Sequence, residues 1–302
     1  MYDIVIIGAG PAGLTAATYS LRAGKTVLVI EKSGFGGQVA FSPKIENFPG
    51  IVSVSGSELA ERLVEQPLEL GAETVFGEVT GIHGTPGSFT VTTEDEEYAC
   101  KAIIIASGAK HRRLNVEGED TFAGNGISYC AVCDGAFFAS QNVAIVGGGN
   151  SALQEAVLLS DICESVTIIQ NLPFLTGEAR LQEILNERKN VRIITSVTVD
   201  RLFGGEALEG AVIRHAETGE TETVSCTGLF VAIGLEPQNA AFADVVALDE
   251  QGYIIAGEDC RTSADGICAA GDCRTKSVRQ ITTAAADGAV ASVAVCRTID
   301  AL

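Results

Sequence analysis

The chain has 302 residues, of which 46% are hydrophobic and 20% charged, and its formal net charge is −19 at pH 7. This composition is typical of a folded protein of about two domains. The strong negative charge argues against binding to nucleic acid, whose phosphates require basic surfaces. No apolar run approaches the ~18 residues of a membrane span, and a strand-like segment begins directly after Met1, without a signal peptide. We therefore expect a cytoplasmic protein that binds neither nucleic acid nor a membrane.

The N-terminal sequence has the pattern of a dinucleotide-binding unit. The apolar run Asp3–Ile7 predicts a buried strand, which enters the G-x-G-x-x-G turn Gly8–Gly13 and then a helix to about Ala23. A second strand, Val27–Ile30, is followed by Glu31, 23 residues after Gly8 (31 − 8), close to the offset of an acid that binds a ribose hydroxyl. The glycines let the backbone approach a pyrophosphate at the positive end of the helix.

The remaining pattern alternates between helices and strands. We predict a helix from Ser57 to about Gln66 that ends at Pro67, and a closing Ala-rich helix over Ile281–Cys296. Strands are predicted near Thr74–Val79, Phe89–Thr93, Ala102–Ala106, Asn142–Val146, Val166–Ile169, Arg192–Ser196, Gly210–Arg214, Thr223–Ile233 and Ile267–Ala270.

A pair of cysteines marks the middle of the chain, in Cys130-Ala131-Val132-Cys133-Asp134. Two cysteines at this spacing can close and reopen a small disulfide, and the acid after Cys133 can supply a proton to the leaving sulfur. The alternatives are half of a structural zinc site or two buried small side chains. A zinc site needs a second ligand pair, which the sequence lacks, so we predict a redox-active disulfide and no metal. The other seven cysteines are expected to be buried.

The opening pattern is repeated after the cysteine pair. Asn142–Val146 leads into Gly147-Gly148-Gly149-Asn150-Ser151-Ala152, a G-x-G-x-x-A turn 139 residues after the first (147 − 8). The chain therefore contains two dinucleotide-type units, with Cys130 and Cys133 at the head of the second.

Together these motifs resemble the low-molecular-weight flavoprotein thioredoxin reductases, along the whole chain. The resemblance implies an α/β fold with two Rossmann-like dinucleotide-binding domains of the three-layer ββα type, the second inserted into the first. Residues 1–113 and 242–302 would form the FAD-binding domain. Residues 114–241 would form the redox-disulfide domain, with a degenerate pyridine-nucleotide-type fold. A homodimer is also expected.

The resemblance assigns site residues as well. Cys133 would face the flavin, Cys130 would attack the disulfide of a thioredoxin-like protein, and Asp134 would be the acid. FAD would be held by Gly8, Gly10, Pro11, Ala12, Gly13, Glu31, Gly37, Gln38, Asn47, Val79, Gly108, Gly271, Asp272, Arg279 and Gln280. Among these, Asp272 would bind the ribityl chain, and Arg279 and Gln280 would border the isoalloxazine.

The second unit departs from the family at its nucleotide-selecting segment. Adding the offset of 23 to Gly147 gives Gln170, where NAD binding favours an acid and NADP binding favours nearby arginines. The family usually has His-Arg-Arg here, whereas this chain has no cation over residues 170–176.

This departure resembles the branch of the family that takes electrons from ferredoxin. We therefore predict reduced ferredoxin as the donor, with Arg274, Lys276 and Arg279 as candidates for a basic docking patch. NADH held by neutral hydrogen bonds, or a deazaflavin, is the alternative donor. A flavin-binding redox sensor without turnover is a second alternative.

Overall fold

The structure is a computed structural model that describes residues 1–42 and 44–302. Its contacts divide the chain into two compact units. Unit 1 comprises Met1–Lys110 and Glu236–Leu302, and unit 2 comprises His111–Leu235. Unit 2 is therefore an insertion in the sequence of unit 1.

The first part of unit 1 is built around a mixed sheet, in which helices connect β1 to β2 and β2 to β3. Its elements are β1 (Tyr2–Ile7), α1 (Pro11–Arg22), β2 (Val27–Glu31), α2 (Gly56–Glu69), β3 (Glu73–Phe76), β4 (Val79–Thr85), β5 (Ser88–Thr93), β6 (Glu97–Ile105) and β7 (Ala109–His111). After unit 2, the chain adds β16 (Leu235–Pro237), β17 (Ile267–Ala269) and the long helix α7 (Ile281–Asp300).

Strand β6 organises the sheet of unit 1, whose order is β3-β2-β1-β6-β5-β4 with β17 also paired to β6. The first half of β6 pairs antiparallel with β5, and its second half pairs parallel with β17. Side chains alternate across β1, so Ile4 and Ile6 pack towards α1 and α7, while Val5 and Ile7 pack towards the β4–β5 hairpin. The sheet is therefore covered on both faces, which explains the unbroken apolar run of β1.

Unit 2 repeats this design on a smaller scale. Its elements are α3 (Glu119–Phe122), β8 (Ile127–Ser128), α4 (Ala131–Asp134), β9 (Asn142–Val146), α5 (Asn150–Ile162), β10 (Ser165–Ile169), α6 (Ala179–Glu187), β11 (Val191–Ile194), β12 (Val197–Gly204), β13 (Leu208–His215), β14 (Thr221–Ser225) and β15 (Gly228–Val231). A parallel sheet of order β11-β10-β9-β15-β8 carries α5 on one face, and a three-stranded antiparallel sheet of order β12-β13-β14 completes the unit. The predicted α/β fold with two Rossmann-like units is confirmed.

Two element predictions were wrong. The helix predicted to end at Pro67 continues to Glu69, because Pro67 is buried in line with Leu59 and Leu63 on the apolar face of α2. Burial of this stripe offsets the hydrogen bond that proline cannot donate.

The strand predicted over Thr223–Ile233 is two strands in different sheets, β14 and β15. The burial pattern changes between them, from alternating in β14 to continuous in β15. Helix α6 and strand β12 were not predicted, and α7 extends four residues beyond the predicted Cys296. Among the described residues, no helix is long and apolar enough to cross a membrane.

Candidate active site

The cysteine pair forms a disulfide at the start of the short helix α4. Cys130 caps this helix, and its Sγ accepts a hydrogen bond of 3.2 Å from the backbone N–H of Cys133. The Cα atoms are 5.3 Å apart. Within the described part of the chain, no cluster of three or more His, Cys, Asp or Glu side chains could hold a metal. The seven other cysteines are buried, as predicted.

Asp134 is placed to hold a proton beside this disulfide. Its Oδ2 accepts a 2.6 Å hydrogen bond from the hydroxyl of Ser128, whose Oγ in turn accepts from the backbone N–H of Cys130 at 3.1 Å. Oδ1 is buried without a hydrogen-bond partner in the described structure. Burial raises the pKa of Asp134, although the Ser128 hydrogen bond acts to lower it. A carboxyl group of this kind can carry the proton that a leaving thiolate needs.

A second acid, Glu155, lies against the same turn and was missed in the sequence. It projects from α5, and its carboxyl interacts with the backbone N–H of Ala131, between the two cysteines, which acts to lower its pKa. Oε2 is buried without a partner in the described structure, and burial raises the pKa of Glu155 to about 7. Sequence offers little signal for it, because which acid of a helix meets a distant turn depends on tertiary packing.

The first glycine turn lies between β1 and α1, and each of its glycines meets a different steric demand. A Cβ on Gly8 would lie 2.3 Å from the carbonyl oxygen of Ala106, and one on Gly13 would lie 1.9 Å from that of Gly8. By contrast, a Cβ on Gly10 would meet no protein atom within 4 Å. Gly8 and Gly13 are therefore required for packing, whereas Gly10 borders open space. Pro11 follows it as the first residue of α1.

Glu31 closes this turn from the end of β2. One carboxylate oxygen accepts a 2.8 Å hydrogen bond from the backbone N–H of Ala9, and the other accepts from the backbone N–H of Ser33 at 2.8 Å. Gly77 donates its N–H to the Glu31 carbonyl, which places the start of β4 at Val79 beside this strand end. The predicted acid thus contacts the glycine turn.

The Gly271-Asp272 turn packs against the same helix. Gly271 has φ +79°, and a Cβ there would lie 2.9 Å from the Cβ of Ala12. Asp272 is largely buried, its Oδ1 has no hydrogen-bond partner in the described structure, and burial raises its pKa. A buried carboxylate oxygen without a partner is costly, and a cofactor hydroxyl would satisfy it.

The other predicted binding residues form two groups within unit 1. Near α7, Asn47 donates to the side chain of Gln280 at 3.2 Å, and the Arg279 guanidinium lies 4.3 Å from the ring centre of Tyr253. Gly37 and Gln38 begin a short 3₁₀ helix, Gly37–Phe41, and Gly108 is in a loop; the Cβ position of Gly37 is 3.4 Å from the Gly10 Cα, and that of Gly108 borders open space.

These features are those of a site that binds FAD, and they are not explained by a turn with a structural role alone. The site has a glycine backbone open to solvent at Gly10 and Gly108, a helix start with free N–H groups, and an unpartnered buried oxygen on Asp272.

The second glycine turn has a different neighbour. Gln170, only 5% exposed, packs over it, so that a Cβ on Gly148 would lie 2.5 Å from the Gln170 side-chain amide. That amide donates to the carbonyl oxygen of Phe174 at 3.2 Å. Leu172 and Phe174 follow with exposed side chains.

The predicted basic docking patch is wrong at two of its three residues. Arg274 is 3% exposed, and the Lys276 side chain is 7% exposed. Both are paired with the buried carboxylate of Asp287, so neither can present its charge to a partner. The sequence pattern did not distinguish a buried cation from a surface one.

A family model described as "Pyridine nucleotide-disulphide oxidoreductase" matches residues 2–288. The chain belongs to this family. It is 40% identical over 292 residues to a thioredoxin reductase of Listeria monocytogenes, covering 96% of this chain and 92% of that protein. A crystal structure of thioredoxin reductase from Streptococcus pyogenes is similar with a TM-score of 0.95 at 39% identity, covering 100% of this chain and 99% of that one. Thioredoxin reductase from Giardia duodenalis is similar at a TM-score of 0.93 and 32% identity, covering 99% of each chain.

The family also identifies the cofactor. Thioredoxin reductases of this family are FAD-binding flavoproteins, which confirms the prediction of FAD. The chain is therefore a flavin-dependent disulfide oxidoreductase.

Proposed function

We propose that this enzyme reduces the disulfide of a thioredoxin-like protein through Cys130 and Cys133, with electrons from reduced ferredoxin. The observation that carries the disulfide chemistry is the Cys130–Cys133 bond set beside Asp134, an acid with a raised pKa and an unpartnered oxygen. The names of the relatives supply the substrate class.

The chemistry of the pair follows from thiol–disulfide exchange. In the dithiol state, the Cys130 thiolate attacks one sulfur of the partner's disulfide and releases the other as a thiolate, which takes a proton from Asp134. Cys133 then loses its thiol proton to the Asp134 carboxylate and attacks the mixed disulfide at Cys130, which re-forms the Cys130–Cys133 bond. The second sulfur of the partner leaves as a thiolate and takes this proton from Asp134, so the partner is released as a dithiol. Two electrons leave the enzyme, and the partner gains two electrons and two protons. Bound FAD supplies the ability to accept electrons singly and pass them on in pairs.

The FAD would be held entirely by residues of unit 1. Gly10 and the start of α1 would meet the pyrophosphate, Glu31 the ribose and Asp272 the ribityl chain. Gly37, Gln38, Asn47, Gly108, Arg279 and Gln280 would border the flavin, and the backbone of Val79 would lie by the adenine.

The ferredoxin donor is supported by the second glycine turn. Arginine–phosphate contacts are among the stronger polar interactions, and residues 170–176 offer none. The side chain of Gln170 packs against Gly148, where a working site would leave room for a dinucleotide. The energetics are favourable, since ferredoxin at about −400 mV and thioredoxin at about −270 mV differ by about 130 mV, or about 6 kcal/mol for two electrons.

Anaerobic bleaching of the flavin absorbance tests the donor. Reduced ferredoxin should bleach the flavin within seconds, and NADPH or NADH at millimolar levels should not. Fast bleaching by NADPH would refute the ferredoxin proposal, and fast bleaching by NADH or a deazaflavin alone would favour the alternative donors.

A gain-of-function variant sharpens this test. Gln170→His, Asn171→Arg and Leu172→Arg together should increase NADPH affinity, because they restore cations beside the glycine turn. The matched control is Ala207→Arg with Ser225→Arg, which adds two arginines at exposed positions of the same unit. Equal NADPH affinity in both variants would show that only net charge matters and would contradict the role given to residues 170–172.

Turnover separates a reductase from a redox sensor. Steady-state reduction of an added thioredoxin should proceed for many cycles and should be abolished in Cys130→Ser and Cys133→Ser. If Cys133 faces the flavin, Cys130→Ser should show a long-wavelength charge-transfer band. The same band in Cys133→Ser alone would reverse the two roles, and a single turnover in the unmodified protein would favour the sensor.

A further inference from the structure

Unit 1 contains a buried cluster of three charged side chains that the chemistry above does not use. Asp287, on α7, is 7% exposed. It accepts from Arg274 Nε at 2.9 Å, from Arg274 Nη2 at 2.7 Å and from Lys276 Nζ at 2.8 Å. Burial raises the pKa of Asp287, but hydrogen bonds from Arg274 and Lys276 outweigh it and hold the pKa below its ordinary value. The cluster therefore contains one anion and two cations.

Asp287 also holds the backbone of the Gly271-Asp272 turn. Its Oδ2 accepts a 3.0 Å hydrogen bond from the N–H of Gly271, which directly precedes Asp272, the residue whose Oδ1 is buried without a partner. The Arg274 guanidinium extends this contact, since it donates to the carbonyl oxygens of Ala256 at 3.2 Å and Thr275 at 3.0 Å. The Asp287 carboxylate thus contacts the turn directly at Gly271 and, through Arg274, at Thr275.

The residue after Asp287 brings α7 against the first glycine helix. A Cβ on Gly288 would lie 2.2 Å from the carbonyl oxygen of Ala12, and one on Gly271 would lie 2.9 Å from the Ala12 Cβ. Ala12 follows Pro11 in the first turn of α1. Asp287 and Gly288 therefore fix α1 and the Gly271-Asp272 turn relative to each other, within a few ångströms.

A buried arrangement of this kind is poorly explained by stability alone. Replacing a buried ion cluster with packed apolar residues is often neutral or stabilising, so burial of three charges is weak evidence for a purely structural purpose. Asp287 instead accepts a hydrogen bond from the backbone N–H of Gly271. The next residue is Asp272, whose Oδ1 is buried without a partner.

We propose that Asp287 is a positioning residue for FAD, which sets the Gly271-Asp272 turn against α1 so that Asp272 meets the cofactor in one fixed place. This inference rests on the FAD site proposed above. Arg274 and Lys276 act through Asp287, because they hold its carboxylate ionised and oriented.

The experiment measures the affinity of folded apoprotein for FAD, by quenching of flavin fluorescence, together with the visible circular dichroism of the bound flavin. Asp287→Asn keeps the shape of the side chain and removes its charge, and we expect FAD affinity to fall about tenfold or more. The dichroism should change, since the cofactor is held differently. Lys276→Gln leaves the Arg274 and Gly271 contacts in place and removes one of the two cations at the carboxylate, so it should weaken binding less than Asp287→Asn does. Unchanged affinity and dichroism in Asp287→Asn would overturn the proposal.

Asp272→Asn separates this proposal from the FAD site on which it rests. If Asp287 acts through Asp272, the effects of Asp287→Asn and Asp272→Asn on affinity should be clearly less than additive in the double variant. Additive effects would overturn the positioning role and leave the FAD site intact. No effect of Asp272→Asn would instead refute the assignment of the FAD site.

A charge-balanced variant covers the case in which Asp287→Asn fails to fold. Asp287→Asn with Lys276→Gln removes one anion and one cation, so the net charge of the cluster stays at +1, as in the unmodified protein. We expect this variant to fold and still to show weakened FAD binding with altered dichroism. Normal FAD binding in it would overturn the proposal.

Discussion

Glu155→Gln should make unit 2 more stable at pH 8 and change it much less at pH 5. Burial raises the pKa of Glu155 from 4.5 to about 7, so the folded protein keeps a neutral acid in a range where the unfolded chain is ionised. The free energy of unfolding of the unmodified protein therefore decreases as pH rises from 4.5 to 7, and this decrease ends above pH 7. Glutamine carries no charge at any of these pH values, and its side-chain oxygen can still interact with the Ala131 N–H.

The size of the effect follows from the two pKa values. The difference between 4.5 and about 7, at 1.36 kcal/mol per pH unit, corresponds to about 3 kcal/mol at pH 8. At pH 5 the carboxyl of the unfolded chain is only half a pH unit above its pKa of 4.5, and the same linkage gives less than about 1 kcal/mol. The unmodified protein should thus lose about 2 kcal/mol more than Glu155→Gln between these two pH values. Asp134 is present in both proteins, so its contribution cancels.

Hydrogen–deuterium exchange measures this difference locally, on peptides from β9 and α5, after correction for the intrinsic exchange rate at each pH. The control is Glu183→Gln, which removes an exposed glutamate on α6 of the same unit. The control should follow the pH dependence of the unmodified protein. If Glu155→Gln also follows it, Glu155 is ionised in the folded state and the reasoning from burial is refuted.

Four further substitutions test the two sites. Gly10→Ala should leave the unfolding midpoint nearly unchanged, because its Cβ meets no protein atom within 4 Å. It should weaken FAD retention, because this Cβ would occupy space where the pyrophosphate is proposed to bind. Gly8→Ala should instead lower the midpoint by several °C in the apoprotein, since φ is +103° and the Cβ would lie 2.3 Å from the Ala106 carbonyl oxygen. Asp134→Asn should slow disulfide reduction about 10²-fold, measured in single turnover; a normal rate would rule it out as the acid. Ser128→Ala removes a hydrogen bond that lowers the pKa of Asp134, so the alkaline limb of the pH–rate profile, where the rate falls as Asp134 loses its proton, should move to higher pH; a shift to lower pH would contradict this.

Several features of the site were predictable because they depend on short segments. Within the turn at Gly8–Gly13, a Cβ on Gly13 would clash with the carbonyl oxygen of Gly8 and crowd the side chain of Ile6, so the spacing is fixed by local backbone sterics. Cys130 and Cys133 lie on one helical turn, where their spacing alone allows a disulfide. Glu31 was found by its distance along the chain from Gly8, which reflects the constant length of a strand–helix–strand unit.

Other features depended on contacts that no spacing encodes. Pro67 continues a helix because its ring is buried on the same face of α2 as Leu63, and the sequence alone favoured a helix end. Arg274 and Lys276 were interpreted as surface cations, but α7 brings Asp287 against them, 11 residues beyond Lys276 (287 − 276). In the sequence, the only indication of this cluster was Asp287 itself, an acid within the Ala-rich segment that forms α7.

The sequence by itself determined the two glycine turns, the order of strands and helices around them, the redox pair and the absence of cations at residues 170–176. All of these are written in runs of a few residues, where backbone geometry leaves few choices. Only the tertiary structure decided that Glu155 meets Ala131, that Asp287 holds Gly271 and that Gln170 packs over Gly148. The physical reason is that burial and pairing, which set the charge state of an acid and the direction of its hydrogen bonds, arise from elements distant in the chain.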